Sequence, residues 1–261
     1  MRGDIFFIKR RNNIIIFIII TSITISSMMI TDYDVVKGFT CIIKAIQWTV
    51  SNFYPDMKSL EKLPDILTKL KETVLMSITA TTVASILAFL FALFGSNTTK
   101  VNSFLSIISR GIASINRNIP LVAWAMILLL SFGQSALTGL LALFFATFGF
   151  LTRAFMETID EVSSSSVEAL RATGANYLQI IFQAVLPSTL PQLISWILYM
   201  IDTNIRDATL VGILTGTGIG FIFNLYYRTM NYHTASLVVI FIVLTVFITE
   251  LISNYIRRVI L

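Results

Sequence analysis

From Thr73 to Phe94 the chain runs for 22 residues without a charged side chain. Few features restrict a fold more. The hydrocarbon core of a bilayer is about 30 Å thick, and a helix needs roughly 20 mostly apolar residues to cross it. Inside that core every backbone amide must bond within its own segment, which leaves the helix as the structure for such a run. Other mostly apolar runs, three of them with one to three charged residues, cover Ile14 to Ile30, Leu105 to Phe132, Ser135 to Leu151, Pro187 to Leu214 and Ala235 to Ser253, so six spans are expected. Composition agrees. Only 13% of residues are charged, against about 25% in soluble domains, and the mean hydropathy is +0.82. The expected fold class is all-α, a polytopic membrane protein forming a single transmembrane domain over residues 1–261.

The net charge of +5 does not point to nucleic acid. An excess of Lys and Arg on cytoplasmic segments accounts for it. Lys9-Arg10-Arg11 and Arg257-Arg258 place both termini in the cytoplasm, and six spans keep them on one side. The first run also resembles a signal peptide, but it is long, β-branched and without an A-x-A site, so a retained helix is the preferred reading. Residues Thr31 to Lys71 mix acids and lysines and are broken by Pro55 and Pro64. They fall outside, against the positive-inside rule, although interspersed acids bring them near neutrality. Ile42, Ile43, Ile46 and Val50 recur at helical spacing. That fits a segment lying on the membrane surface, and a plain extracytoplasmic loop fits equally. Cys41 is the only cysteine and His233 the only histidine, so neither a disulfide nor a histidine or cysteine metal cluster is expected. No G-x-x-x-x-G-K-[ST] occurs, and Phe221 breaks any G-x-G-x-x-G at the glycines. The chain therefore lacks a phosphate loop, no cofactor is expected, and ATP-driven work would need a partner.

A polar island, Thr152 to Val185, separates the fourth and fifth expected spans. Ser165-x-x-Glu168 reads as a capping box that starts a helix near Ser166. Gly174 can end it in the left-handed conformation. So short a helix is unstable in water and must pack on something. Tyr177, Ile180, Ile181 and Ala184 form a second amphipathic stretch, and Pro187 suits the first turn of the next helix. On these grounds a docking helix and an ordinary loop with a stray helix remain equally good readings.

Glu168 and Ala169, then Gly174, then Leu186-Pro187 hold the spacing E-A-A-x-x-x-G-x9-I-x-L-P. This resembles the cytoplasmic loop of binding-protein-dependent ABC importer permeases, with Leu170 in place of Ala and Ala184 in place of Ile. The resemblance implies that the loop, residues 152–186, is a coupling element seated on an ATP-binding subunit. It also implies an extracytoplasmic solute-binding protein and a second permease copy as partners in a bacterial inner membrane. This chain would then be a transport subunit and not an enzyme.

A narrower resemblance runs from about residue 52 to residue 256. Asn52-Phe53-Tyr54-Pro55-Asp56, Arg117-Asn118-Ile119-Pro120 with Trp124-Ala125, and Asp202 with Asn204-Ile205-Arg206 and Ala208-Thr209 resemble the phosphonate-type branch. Gly218-Ile219-Gly220 adds that branch's glycine loop. Leu121 departs from it, where a glutamate is common. The branch implies a phosphonate or related phosphorus oxyanion as cargo, with methionine or polar amino acids as the alternative. A stand-alone channel or membrane enzyme is a further alternative, for which no catalytic grouping is found. Independently of family, Asp202 and Arg206 are four residues apart on one helix face and can neutralise each other at bilayer depth. Asp202, Asn204, Arg206 and Arg117 are thus candidates for a translocation path or for packing between subunits, and both readings stand. Gly216, Gly218 and Gly220 are expected to let the chain turn tightly between spans.

Overall fold

The computed structural model describes residues 2–260, with side chains from residues 9–34 and 36–260. Two units divide between Tyr54 and Pro55. The first holds α1 (Arg2–Ile30) and α2 (Val35–Asn52). From Ile14 to Ile30 α1 carries no charged side chain, and its residues there are almost all exposed. Asp34 starts α2 by accepting from the Lys37 N–H at 3.0 Å. The spacing of Ile42, Ile43, Ile46 and Val50 is thus realised as one helix.

The second unit begins with α3 (Met57–Leu60), a single turn capped by Asp56 and Ser59. Next comes α4 (Leu63–Gly95), which starts ten residues before the expected span. Pro64 does not break the chain as expected. It occupies the first turn of α4, where its missing N–H is no loss. Then follow α5 (Ser103–Asn118), α6 (Leu121–Phe132), α7 (Ala136–Val162), α8 (Ser164–Ala172) and α9 (Tyr177–Ile180). After a π turn (Ile181–Val185) come α10 (Leu186–Thr215), α11 (Gly218–Arg228) and α12 (Tyr232–Ile260). By length and composition five helical stretches can cross a membrane, and α5 with α6 makes a sixth when taken as one bent span.

Close packing of α4 on α7 organises this unit. Ala80, Ala84, Ala88 and Ala92 recur every fourth residue, and each is 0% exposed. In lipid no hydrophobic drive brings helices together, so small residues that let backbones approach closely take its place. On α7, Gly149 does the same against α5, and Gly139 leaves room for the Met76 side chain of α4. A Cβ on Gly149 would fall 2.7 Å from the carbonyl carbon of Asn116, against the backbone of α5.

The expected straight span from Leu105 to Phe132 is not straight: α5 and α6 meet at 93°. Pro120 is the reason. It has no N–H to offer the Asn116 carbonyl, and it drives Ile119 into the extended region at φ −85°, ψ 119°. The indole N–H of Trp124 reaches that carbonyl instead, at 3.4 Å. The pair still travels the length of α7. Arg110 bonds the Gly95–Asn97 turn beside Asp160, Trp124 stacks on Phe145 at 4.6 Å, and the Gly133 carbonyl accepts from Thr138 near the start of α7. It is a broken crossing rather than a loop that returns to the side it left.

Midway along the unit, Asn204 of α10 ties three helices. Its amide donates to Thr81 Oγ1 of α4 at 2.8 Å and to Thr147 Oγ1 of α7 at 2.7 Å. Ser77 Oγ donates to its main-chain carbonyl at 3.0 Å. One element was absent from the expectation: α11, placed within the stretch between the glycines and Ala235. Gly216 caps α10 at φ +71°. A Cβ on Gly220 would strike the Thr209 carbonyl, so α11 folds back against α10 at a distance only glycine permits. Gly218 and Gly220 therefore lie in the first turn of α11 rather than in an open loop.

The small-residue seam yields a paired prediction. Gly149→Val should cost about 3 kcal/mol or more by overpacking against α5. Gly111→Ala, where a Cβ meets nothing within 4 Å, should be neutral or gain up to about 1 kcal/mol in helix propensity. Thermal unfolding of the detergent-solubilised chain measures both.

Candidate functional site

The polar island is more helical than its sequence suggested. α7 does not stop at Leu151 but continues to Val162, and Thr152, Phe155, Met156 and Ile159 are buried along it. The turn proper is Ser163, which is 0% exposed and returns its hydroxyl to the Ile159 carbonyl at 2.6 Å. α8 starts at Ser164, two residues before the expected start, and no side chain caps it. The capping box of Ser165 with Glu168 does not form. Because Ser163 stays near helical geometry at φ −101°, ψ −6°, the backbone turns without one.

The C-terminal end of α8 follows expectation. Gly174 has φ +80°, the Ala175 N–H donates to the Leu170 carbonyl at 3.2 Å, and the Gly174 N–H donates to the Arg171 carbonyl at 3.0 Å. Those two bonds make a Schellman motif. α8 thus has an inner and an outer face. Val167 is buried and Leu170 half-buried, while Glu168, Ala169 and Ala172 are exposed. Glu168 makes no hydrogen bond or ion pair among the described residues. A short helix clamped on one side presents a fixed, polar and apolar outer face to whatever meets it.

Polar bonds fix the seat of α8. Asp160, near the end of α7, accepts from Ser96 Oγ at 2.5 Å, from the Thr98 N–H at 2.9 Å and from the Asn97 N–H at 3.2 Å. Arg171 of α8 donates to the Thr98 carbonyl at 2.7 Å. Arg110 of α5 donates to the Gly95 carbonyl at 2.7 Å and to Asn97 Oδ1 at 2.8 Å. The turn after α4 is therefore a node that joins α5, α7 and α8. The sequence does not reveal the turn that Asp160 holds, because its partners lie more than 60 residues away. After Gly174 the chain re-enters through a capping box that was also missed: Asn176 and Gln179 exchange bonds at 2.9 and 2.8 Å. Ile180, Ile181 and Ala184 are buried and Tyr177 is half-buried, the amphipathic face that their spacing indicated. The Leu186 N–H bonds back five residues to Ile181, giving a π turn immediately before Pro187. Asp160→Ala should destabilise the chain by about 2 kcal/mol, as charged hydrogen bonds are lost. It should also speed tryptic cleavage after Arg171. Limited proteolysis alongside thermal unfolding checks both.

At mid-depth Arg206 Nη2 lies 2.7 Å from Asp202 Oδ2. Asp202 is buried and also accepts from Thr249 of α12 at 3.4 Å, whereas the Arg206 side chain is 46% exposed. Asn204 is spent on the three-helix tie. Arg117 stands apart from the pair. Its guanidinium makes no hydrogen bond or ion pair among the described residues, and it lines a cleft of about 240 Å³ with Tyr199, Thr203, Asn204 and Asp207. Asp207 was not singled out from the sequence. A carboxylate at that depth is costly whatever its neighbours, and that signal was masked by the adjacent Arg206. Side chains at successive helical positions point about 100° apart and do not pair.

Residues 84–260 match the family described as the binding-protein-dependent transport system inner membrane component. A phosphate-import permease protein, PhnE, of Mycolicibacterium smegmatis is 28% identical over 74% of this chain and 36% of its own length. The phosphite transport system permease protein PtxC of Stutzerimonas stutzeri is 29% identical over 72% of this chain and 68% of its own. The chain therefore spans about a third of the first relative and about two thirds of the second. Among solved structures, an inward-facing conformation of the MetNI methionine ABC transporter aligns with TM-score 0.67 at 20% identity, over 75% of this chain and 96% of that one. At that identity the likeness concerns the fold. The helical core, the broken third crossing and the clamped polar helix belong to a multi-pass membrane chain, and this chain is a member of the binding-protein-dependent transport system inner membrane component family.

Proposed function

We propose that the chain is the permease subunit of an ATP-driven importer that carries a phosphorus oxyanion such as a phosphonate, phosphite or phosphate. The relatives named for phosphate and phosphite import support the cargo. The solved methionine transporter is a likeness of fold alone, so it gives no comparable support to the amino-acid alternative. The observation that carries the coupling role is α8 itself. Glu168 and Ala169 face outward from a helix whose other side is anchored by Val167, Leu170 and Arg171. Such a face suits a groove on an ATP-binding subunit. Force applied there would reach α4, α5 and α7 together through the Asp160 node.

In this reading both termini and the turn at Ser163 lie in the cytoplasm, as the basic ends require. An external solute-binding protein would deliver the ligand, and two permease copies would form the path. ATP would shift the pair between outward- and inward-open states through its different affinity for each. The half-exposed Arg206, at a depth where lipid contact is unfavourable, would face the second copy or a watery path.

Gly174→Leu should disturb the left-handed cap and weaken docking, and Glu168→Lys should reverse the charge of the docking face. Each should lower uptake about tenfold or more, corresponding to about 1.4 kcal/mol of lost coupling. Copurification with the ATP-binding subunit and ATP hydrolysis per ligand transported are the readouts, and unchanged values in both variants would remove α8 from the coupling role. For the buried pair, Asp202→Asn and Arg206→Gln together should cost less than the sum of the singles, by about 1 kcal/mol or more. A double-mutant cycle on thermal stability measures that coupling, and strict additivity would mean the two charges do not support each other.

A further inference from the structure

Arg110, Ser114 and Arg117 are spaced four and three residues apart, so they share one face of α5. Away from that face the helix carries Phe104, Ile108 and Ile115, all exposed. On the polar side Arg153 of α7 closes a cleft of about 320 Å³, with Asn118 at its deeper end. Three guanidinium groups therefore line one cavity. Arg153 gives its Nε to Glu157 at 2.6 Å, and Arg110 gives two donors to the Gly95–Asn97 turn. Each guanidinium has five donors, so both retain several, and Arg117 retains all of its own. The lining carries three arginines and no carboxylate, with Glu157 on Arg153 and Asp160 on the turn that Arg110 grips standing beside it.

Depth sharpens the point. Arg110 sits at the α8 end of the unit, beside the Asp160 node. Arg117 sits against Gly149, the middle residue of α7. The basic face thus runs from the end of the helices to half-way along them. An unpaired charge at that depth costs roughly 2.5–3.5 kcal/mol or more, and three like charges in one cleft add to the penalty. An anion relieves it. Guanidinium forks match tetrahedral oxyanions bidentately, with the Ser114 hydroxyl as a neutral donor held in place by the Asn118 amide, which donates to the Ser114 carbonyl at 2.7 Å and to its hydroxyl at 3.3 Å. Arg117 also lines the second cleft, where Asp207 stands. That carboxylate repels an anion and so limits how far inward the basic site extends.

We propose that Arg110, Arg117 and Arg153, with Ser114 and Asn118, form a vestibule that holds a phosphoryl-type oxyanion on its way out of the path at the α8 end. The proposal deepens the transport reading above and rests on it. It assigns the last holding site before release to this cleft, with Arg117 at its inner limit.

The test uses the complete complex of permease, ATP-binding subunit and binding protein in nanodiscs, without nucleotide. Ser114→Cys is introduced together with Cys41→Ser, and the new thiol is labelled with a small methanethiosulfonate reagent. Inorganic phosphate should slow labelling by the factor one plus its concentration over Kd, about threefold at twice Kd. Chloride at equal ionic strength should not. Arg117→Gln and Arg153→Gln should each weaken phosphate protection about tenfold. Arg117→Lys, which keeps the charge, should restore part of it, while assembly of all variants is checked by gel filtration. Lack of protection by phosphate, or equal protection by chloride, would overturn the vestibule. Protection that appears only in nanodiscs of anionic lipid and not with added phosphate would assign the arginines to lipid headgroups and overturn it as well. A wild-type complex that takes up no phosphorus oxyanion, together with phosphate protection of the thiol in the Ser114→Cys complex, would instead remove the cargo reading and leave the anion cleft standing.

Discussion

Everything in this chain answers to one constraint: at bilayer depth there is no water to complete a polar group's hydrogen bonds. The consequence is visible residue by residue. The Asn204 amide divides its two N–H groups between Thr81 and Thr147. The carbonyl released by Pro120 at the third crossing is met by the Trp124 indole. The Thr73 hydroxyl takes the Ile219 N–H where α11 begins. The Asn204 and Thr73 bonds join elements far apart in sequence, so satisfying the polar groups also fixes how the helices stand. Close approach along the α4–α7 seam makes those bonds reachable, and the alanines and glycines of that seam make the approach possible.

Three charged residues stand as exceptions to this rule. Arg117 and the outer half of Arg206 are charged groups without full partners at a depth that penalises them. At the end of the helices Glu168 is likewise left outward on a helix too short to stand alone. In the proposed reading these three sites meet an anion, a second copy and a motor, and the Asp160 node links them through hydrogen bonds. One turn, Gly95 to Thr98, is bonded to the docking helix through Arg171, to the basic face through Arg110 and to the seam through Asp160. Motion imposed on α8 therefore reaches the basic cleft through hydrogen bonds rather than through a soft loop.

Much of this was legible in the sequence. Apolar run length revealed the crossings, because that property is local and strongly bounded by bilayer thickness. Gly174 announced the end of α8, because a left-handed residue is required there. The four-residue spacing of Asp202 and Arg206 anticipated their contact. What stayed hidden depended on distant partners or on competition between local signals. Ser165 and Glu168 match a capping box, yet Ser163 turns the backbone first. Pro64 reads as a break and acts as a start. Pro120 sits in an apolar run that reads as one span, and its effect on direction exceeds what composition conveys. The Asp160 node and the Arg153 wall of the basic cleft join residues from separate helices, and no periodicity within one helix records them.

The most direct measurement is site-directed crosslinking from α8 in intact membranes. With Cys41→Ser as background, Ala169→Cys is placed on the outward face, and Leu130→Cys, whose residue is 90% exposed on α6, serves as a reference away from the polar helix. A short bifunctional reagent from the first should capture an ATP-binding chain, and from the second should not. Capture of no nucleotide-binding chain from the outward face, or equal capture from both positions, would contradict the account.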